Sequence, residues 1–134
     1  MTKPEDASPV PDAIRNPNDP SHFMRVVPAG GTCTASISGR EIARSDRALV
    51  VNEVGRAVYD PVVYFPRSDV NESVLIAIDK TTHCPLKGNT AYFDLVVDDQ
   101  RVSEAAWSYT DTIEAAEILT GLIAFDRKHV TVSG

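Results

Sequence analysis

Apolar residues in this chain gather in short runs broken by Gly, Pro, Asp, Asn and Ser, with no long helical stripe. From Thr32 to Ser38, β-formers alternate with small residues, Gly39-Arg40 can turn the chain, and Glu41 to Arg44 brings it back, the pattern of a hairpin. His22 to Val27 predicts an edge strand or a segment packed under the core, broken by Pro28-Ala29-Gly30-Gly31, and Ala48 to Glu53 predicts another strand. Val62 to Phe65 stops at Pro66, and Ser73 to Ile78 runs into an Asp79-Lys80-Thr81 turn. Ala91 to Val97 turns at Asp98-Asp99-Gln100 into a returning strand from Val102 to Tyr109. Leu122 to Phe125 and Val130 to Val132 flank the polar run Asp126-Arg127-Lys128-His129 and read as a closing hairpin. Strands this short and regularly spaced predict an antiparallel sheet rather than crossover βαβ units.

One stretch reads as helix, near Asp111-Thr120. Asp111 or Thr112 caps it, Glu114 and Glu117 suit its first turns, Ala115, Ala116, Ile118 and Leu119 form its apolar side, and Gly121 stops it. The expected fold class is therefore mainly β: a single small antiparallel domain over residues 22–134 with one short helix. Residues 1–21, rich in Pro, Asp, Asn and Ser, predict a flexible or loosely draped tail. The alternative for that tail is an arm docked on a second subunit, which would make a homo-oligomer.

At 134 residues the chain suits one domain with its own core. A formal net charge of -6 counts against a general nucleic-acid surface or an anionic membrane surface. No apolar run approaches the ~20 residues of a membrane helix, so a cytoplasmic protein is expected. Cys33 and Cys84 are too few for a disulfide framework or a thiolate zinc cage, and no metal is expected. Any cofactor stays unknown: Walker, G-x-G-x-x-G, H-E-x-x-H and G-x-S-x-G motifs are all missing. The acids are dispersed, which counts against a two-metal nucleotidyl transfer site.

Chemistry concentrates in Thr82-His83-Cys84-Pro85-Leu86-Lys87-Gly88. Pro85 pushes Cys84 towards an extended conformation, and Gly88 can take the positive φ of a sharp return. Lys87 lies close enough in sequence to favour a Cys84 thiolate, although inert packing is the ordinary fate of a free cysteine. His83, adjacent on a strand, is expected to face away from Cys84. Arg67 and Asp69, just past Pro66, form either an ion pair that pins a turn or, with Lys87, a cradle for an anion in which Asp69 orients Arg67 or acts as a base. Trp107 and Tyr109 share one strand face and, with Tyr64 and Tyr92, either fill the core or wall a pocket for a flat ligand. Glu53 reads as solvated and Cys33 as packing.

The combined expectation is one pocket built from Tyr64, Arg67, Asp69, Cys84, Lys87, Trp107 and Tyr109 that binds a small anionic ligand. Two alternatives stay open. One is an enzyme, either nucleotidyl-transferring or thiol-dependent, with Asp69 or Cys84 as the catalytic group. The other is a protein-interaction module in which the same groups form a structural network.

The order Tyr64-Phe65-Pro66-Arg67 with Asp69-Val70, Cys84-Pro85 with Lys87-Gly88 and Tyr92, Trp107 with Tyr109, and Gly121 with Ala124-Phe125 resembles the bacterial domain-of-unknown-function family 427. The likeness runs from about Phe23 to Val132. It implies a β-tent domain, the architecture also seen in methionine-R-sulfoxide reductases and zinc-knuckle proteins, and it brings a nucleotidyltransferase-like label. The knuckle cysteines are missing, so the resemblance implies no zinc. Thr110-Asp111-Thr112 stands where the family pattern has a proline, and Asp126 where it has an aromatic, departures that fall at the outer edge of the expected pocket.

Overall fold

Strands dominate the computed structural model, which describes residues 13–134. In chain order they are β1 (Ile14–Asn16), β2 (Asp19–Pro28), β3 (Cys33–Ile37), β4 (Arg40–Ser45), β5 (Leu49–Val54), β6 (Val62–Tyr64), β7 (Leu75–Cys84), β8 (Gly88–Val97), β9 (Gln100–Thr112), β10 (Ile123–Phe125) and β11 (Thr131–Ser133). Among the described residues they pair antiparallel in three sheets, ordered β1-β2-β5-β6, β11-β3-β4 and β10-β9-β8-β7, and no barrel closes. The domain is mainly β, with its one longer helical stretch a 3₁₀ segment at Glu114–Leu119 and single 3₁₀ turns at Arg67–Asp69 and Glu72–Val74.

Turn chemistry fixes the hairpins. Ile37 pairs with Arg40 around Ser38 and Gly39, which both have positive φ, and Val97 pairs with Gln100 around Asp98 and Asp99, which do too. These are two-residue loops whose twist matches that of the flanking strands. Arg40 donates to Asp98 through Nε at 2.9 Å and a terminal nitrogen at 2.7 Å, tying one turn to the other. In β3, Cys33, Ala35 and Ile37 point inward in strict alternation; in β4 a register shift opposite Ala35 and Ser36 lets Ile42 and Ala43 both turn inward.

Two apolar clusters form the core. One gathers Cys33, Ala35, Ile42, Phe65, Phe93, Leu95, Phe125 and their neighbours, with Phe65 and Phe125 edge to face at 5.6 Å. The other gathers Met24, Val51, Tyr64, Leu86, Tyr109, Ala116, Leu119 and Ala124. The sheets meet where Phe65, just past β6, exchanges two backbone hydrogen bonds of 2.8 Å with Ile123 of β10.

Several expectations are revised. The segment at His22 to Val27 is no edge: β2 is longer and has β1 on one side and β5 on the other. Ile14 pairs with Met24 and Arg15 with Phe23, so residues 14–21 belong to a sheet rather than to a tail. Residues 1–12 of the expected tail lie outside the described residues. The chain does not turn at Asp79-Lys80-Thr81; β7 runs on to Cys84, with a register irregularity between Ala77 and Thr81 absorbed against β8. Asp111 and Thr112 end β9 instead of capping a helix, and Ile113 precedes the 3₁₀ segment. No closing hairpin forms. β10 pairs with β9 while β11 crosses to pair with β3, because the three residues of β10 are all buried and already edge β9, whereas β3 still offers an open edge.

Candidate functional site

The turn between β7 and β8 folds inward. Cys84 pairs with Gly88 across Pro85, Leu86 and Lys87. Loops normally stay at the surface because their polar groups need water, yet Leu86 is fully buried and Lys87 is only 5% exposed. The turn's polar groups find partners within the protein: Lys87 N–H donates to Cys84 O at 3.2 Å, and Lys87 O accepts from Ile113 N–H at 3.0 Å. Gly88, at φ +127°, lies so close under the end of β9 that a Cβ there would sit 2.3 Å from Asp111 O. Only glycine lets the two backbones approach this far.

Lys87 Nζ donates to Glu53 Oε1 at 2.5 Å and lies 5.7 Å from the centre of the Tyr109 ring. Glu53 Oε2 faces His22 Nε2 at 2.8 Å, and His22 Nδ1 faces the Asn16 side-chain amide nitrogen at 3.3 Å. An amide donor opposite Nδ1 selects the tautomer in which Nε2–H donates to Glu53. Burial pushes the Glu53 carboxyl up, but the hydrogen bonds from Lys87 and His22 outweigh that and hold it below its ordinary value. The expected solvated Glu53 is thus the acceptor of a partly buried network. Alternation along β5 carries the signal, since Glu53 shares a face with buried Val51.

Above this pair lies a cleft of about 730 Å³ between β5–β6 and β7–β9. Its floor and walls carry Tyr64, Trp107 and Tyr109, with Cys84, Lys87 and Glu53 beside them and Tyr59 and Tyr92 further out. Trp107 Nε1 donates to Tyr64 Oη at 3.3 Å, and the Tyr64 and Tyr109 rings are tilted at 6.3 Å. Tyr64 is 2% exposed; burial drives its phenol well above the ordinary value, and burial raises Tyr109 as well, against the pull of the Lys87 charge. Both stay protonated hydrogen-bonding groups at neutral pH.

At the cleft mouth, the crossing from β10 to β11 places Asp126, Lys128 and His129. A bulge in β9, where Glu104 has φ +53° and its N–H donates to Asp94 at 2.9 Å, presents Ser103 and Glu104 there as well. Glu104 accepts from Lys80, whose ammonium sits 4.7 Å over the Tyr92 ring.

The structure brings together five of the residues singled out from sequence, Tyr64, Cys84, Lys87, Trp107 and Tyr109, and leaves two apart. Arg67 lies outside the cleft, donates to Glu72 at 2.5 Å and 3.1 Å, and stacks 5.4 Å from the Phe93 ring. Asp69 accepts from Ser45 at 2.6 Å and from Arg47 at 3.2 Å, which hold its carboxyl below the ordinary range. The two residues do not pair with each other, because the 3₁₀ turn at Arg67–Asp69 aims one forward to Glu72 and the other back to β4. Lys87 meets Glu53 instead of either. His83 bonds Asn89 on the exposed face at 2.8 Å, away from Cys84. Cys33 is buried and its thiol is raised by burial. No local sequence signal points to Tyr59, Asp60, Glu104, Asp126, Lys128 and His129, which reach the cleft only through the bulge, the crossover and the loop after β5. Among the described residues no group of three acidic, histidine or cysteine side chains is placed to hold a metal ion, and no helix is long and apolar enough to cross a membrane.

Residues 25–133 match the profile NTP_transf_9, described as a domain of unknown function (DUF427), and the chain belongs to that family. No curated protein matches it.

Proposed function

We propose that this member of the DUF427 family binds a small planar molecule in the aromatic cleft. The observation that carries the reading is the Trp107, Tyr64 and Tyr109 wall beside a partly buried Lys87-Glu53 pair. Apolar and aromatic lining with a few fixed polar groups is how proteins hold small ligands. The volume suits a ligand of one or two rings, since such sites span roughly 300–1,000 Å³. The anion expected from the sequence loses its cradle, because Arg67 is committed to Glu72 and the Lys87 charge is already met by Glu53.

Trp107 is the only tryptophan of the chain, so its emission reports on the cleft without labelling. Titration with benzyl alcohol or benzamide should give a saturable change, with Kd about 1 mM for probes this small. Phosphate and acetate should leave the emission unchanged. A saturable response to phosphate with none to the planar probes reverses the assignment.

A further inference from the structure

Resting on that reading, we propose that Lys87 is the cleft's reactive amine and that the site takes planar aldehydes or ketones, holding them as an imine on Nζ. Three observations converge. Lys87 is the one lysine among Lys80, Lys87 and Lys128 that is buried, and it lines the cleft between Tyr109 and Cys84. Its ammonium has a fixed counter-charge in contact, Glu53 Oε1 at 2.5 Å, which an iminium on the same nitrogen would keep. Glu53 is itself fixed from behind by His22, which Asn16 orients, so the carboxylate is positioned without help from a ligand.

The step balances with the groups present. Nζ gives up a proton to solvent water, and the nitrogen lone pair attacks the carbonyl carbon. The carbonyl π pair moves to oxygen, which takes a proton back from water. A second nitrogen proton then leaves on the hydroxyl as water, and an N-protonated imine remains. Lys–NH₃⁺ and a carbonyl compound thus give a Lys iminium and one water, with no oxidant or reductant. The positive charge beside Glu53 is the same before and after, so the partly buried carboxylate keeps its counter-charge in both end states, and losing it would be costly in a low-dielectric setting. An exposed lysine lacks this: its ammonium is strongly hydrated and no wall orients the carbonyl against it.

The test is reductive trapping. The intact protein is incubated with benzaldehyde and cyanoborohydride, with benzyl alcohol as the unreactive competitor, and modified lysines are mapped by peptide mass spectrometry. The chain has four lysines, Lys3, Lys80, Lys87 and Lys128, so assignment is direct. Lys87 should be benzylated at least about tenfold faster than Lys80 or Lys128. Benzyl alcohol should protect Lys87 alone. Lys87→Arg, which keeps a cation opposite Glu53, should remove the fast site. If label collects on Lys80 and Lys128 while benzyl alcohol still shifts Trp107 emission, the imine is wrong and the binding cleft stands. Absence of both responses overturns the two readings together.

Discussion

Glu53 accepts from two donors, whereas Lys87 has Glu53 as its ion-pair partner, and this asymmetry makes an unequal prediction for the two sides of one ion pair. Glu53→Gln keeps the shape but leaves the ammonium of a 5%-exposed Lys87 without a counter-charge. Removing one member of a buried pair costs about 3–5 kcal/mol. Glu53 is 19% exposed at its side chain, so the lower end, about 3 kcal/mol, is expected. Lys87→Met removes the desolvated ammonium, fills much of the same volume and leaves Glu53 hydrogen-bonded to His22; its cost should be about 1 kcal/mol.

With a urea slope of about 2 kcal/mol per molar, the two variants should differ by about 1 M in unfolding midpoint. Glu53→Leu combined with Lys87→Met should recover most of the loss, since apolar replacement of a whole buried pair is often near neutral. The pH dependence follows from the depressed carboxyl. A group whose folded pKa lies below its unfolded value stabilises above the unfolded pKa, near ~4.3 for glutamate, and that contribution is lost as pH falls through the folded value. The gap between wild type and Glu53→Gln should therefore be full at neutral pH and close progressively below about pH 4. A Lys87→Met variant less stable than Glu53→Gln, or a gap that widens with acid, refutes the reasoning.

Three further outcomes are expected. Gly88→Ala should cost at least about 3 kcal/mol, from a disfavoured φ added to a backbone clash against Asp111 and Thr112, and a melting temperature within a few degrees of wild type contradicts this packing. Arg67→Ala should cost about 1 kcal/mol, the value of an exposed ion pair with a ring contact, and should leave Trp107 titrations unchanged; loss of ligand response would return Arg67 to the site. In iodoacetamide kinetics near pH 8, Cys33 should stay unmodified until the protein unfolds, because burial disfavours its thiolate, and labelling of Cys33 in the native state would count against its place in the core.

Much of the sheet was legible because local rules set it. Alternation in Cys33–Ile37 and the turn residues Gly39 and Asp98-Asp99 mark hairpins whose partners lie next to them in sequence, although the first turn falls at Ser38-Gly39, one residue before the expected Gly39-Arg40. The period-two spacing of Trp107 and Tyr109 likewise placed both in one cleft. What failed was non-local. Nothing near Phe125 tells the chain that its next strand pairs with Ser36 and Thr34, because that choice depends on the open edge of β3. The same holds for charge pairs: Arg67 and Asp69 are close in sequence, but a 3₁₀ turn separates side chains two apart, while Glu53 and Lys87, distant in sequence, meet because β5 and the β7–β8 turn face one core. The inward turn at Pro85-Leu86-Lys87 could not be read locally either, since it depends on Glu53 and on the Ile113 backbone.

Backbone amide shifts on titration with benzamide test the cleft most directly. Saturable changes should cluster at Val62, Tyr64, Cys84, Lys87, Trp107, Tyr109 and the 126–129 crossing, all on one side of the molecule. Changes centred instead on Arg44, Arg47, Arg67 and Asp69, or no saturable change at any residue, would contradict a ligand site in the cleft.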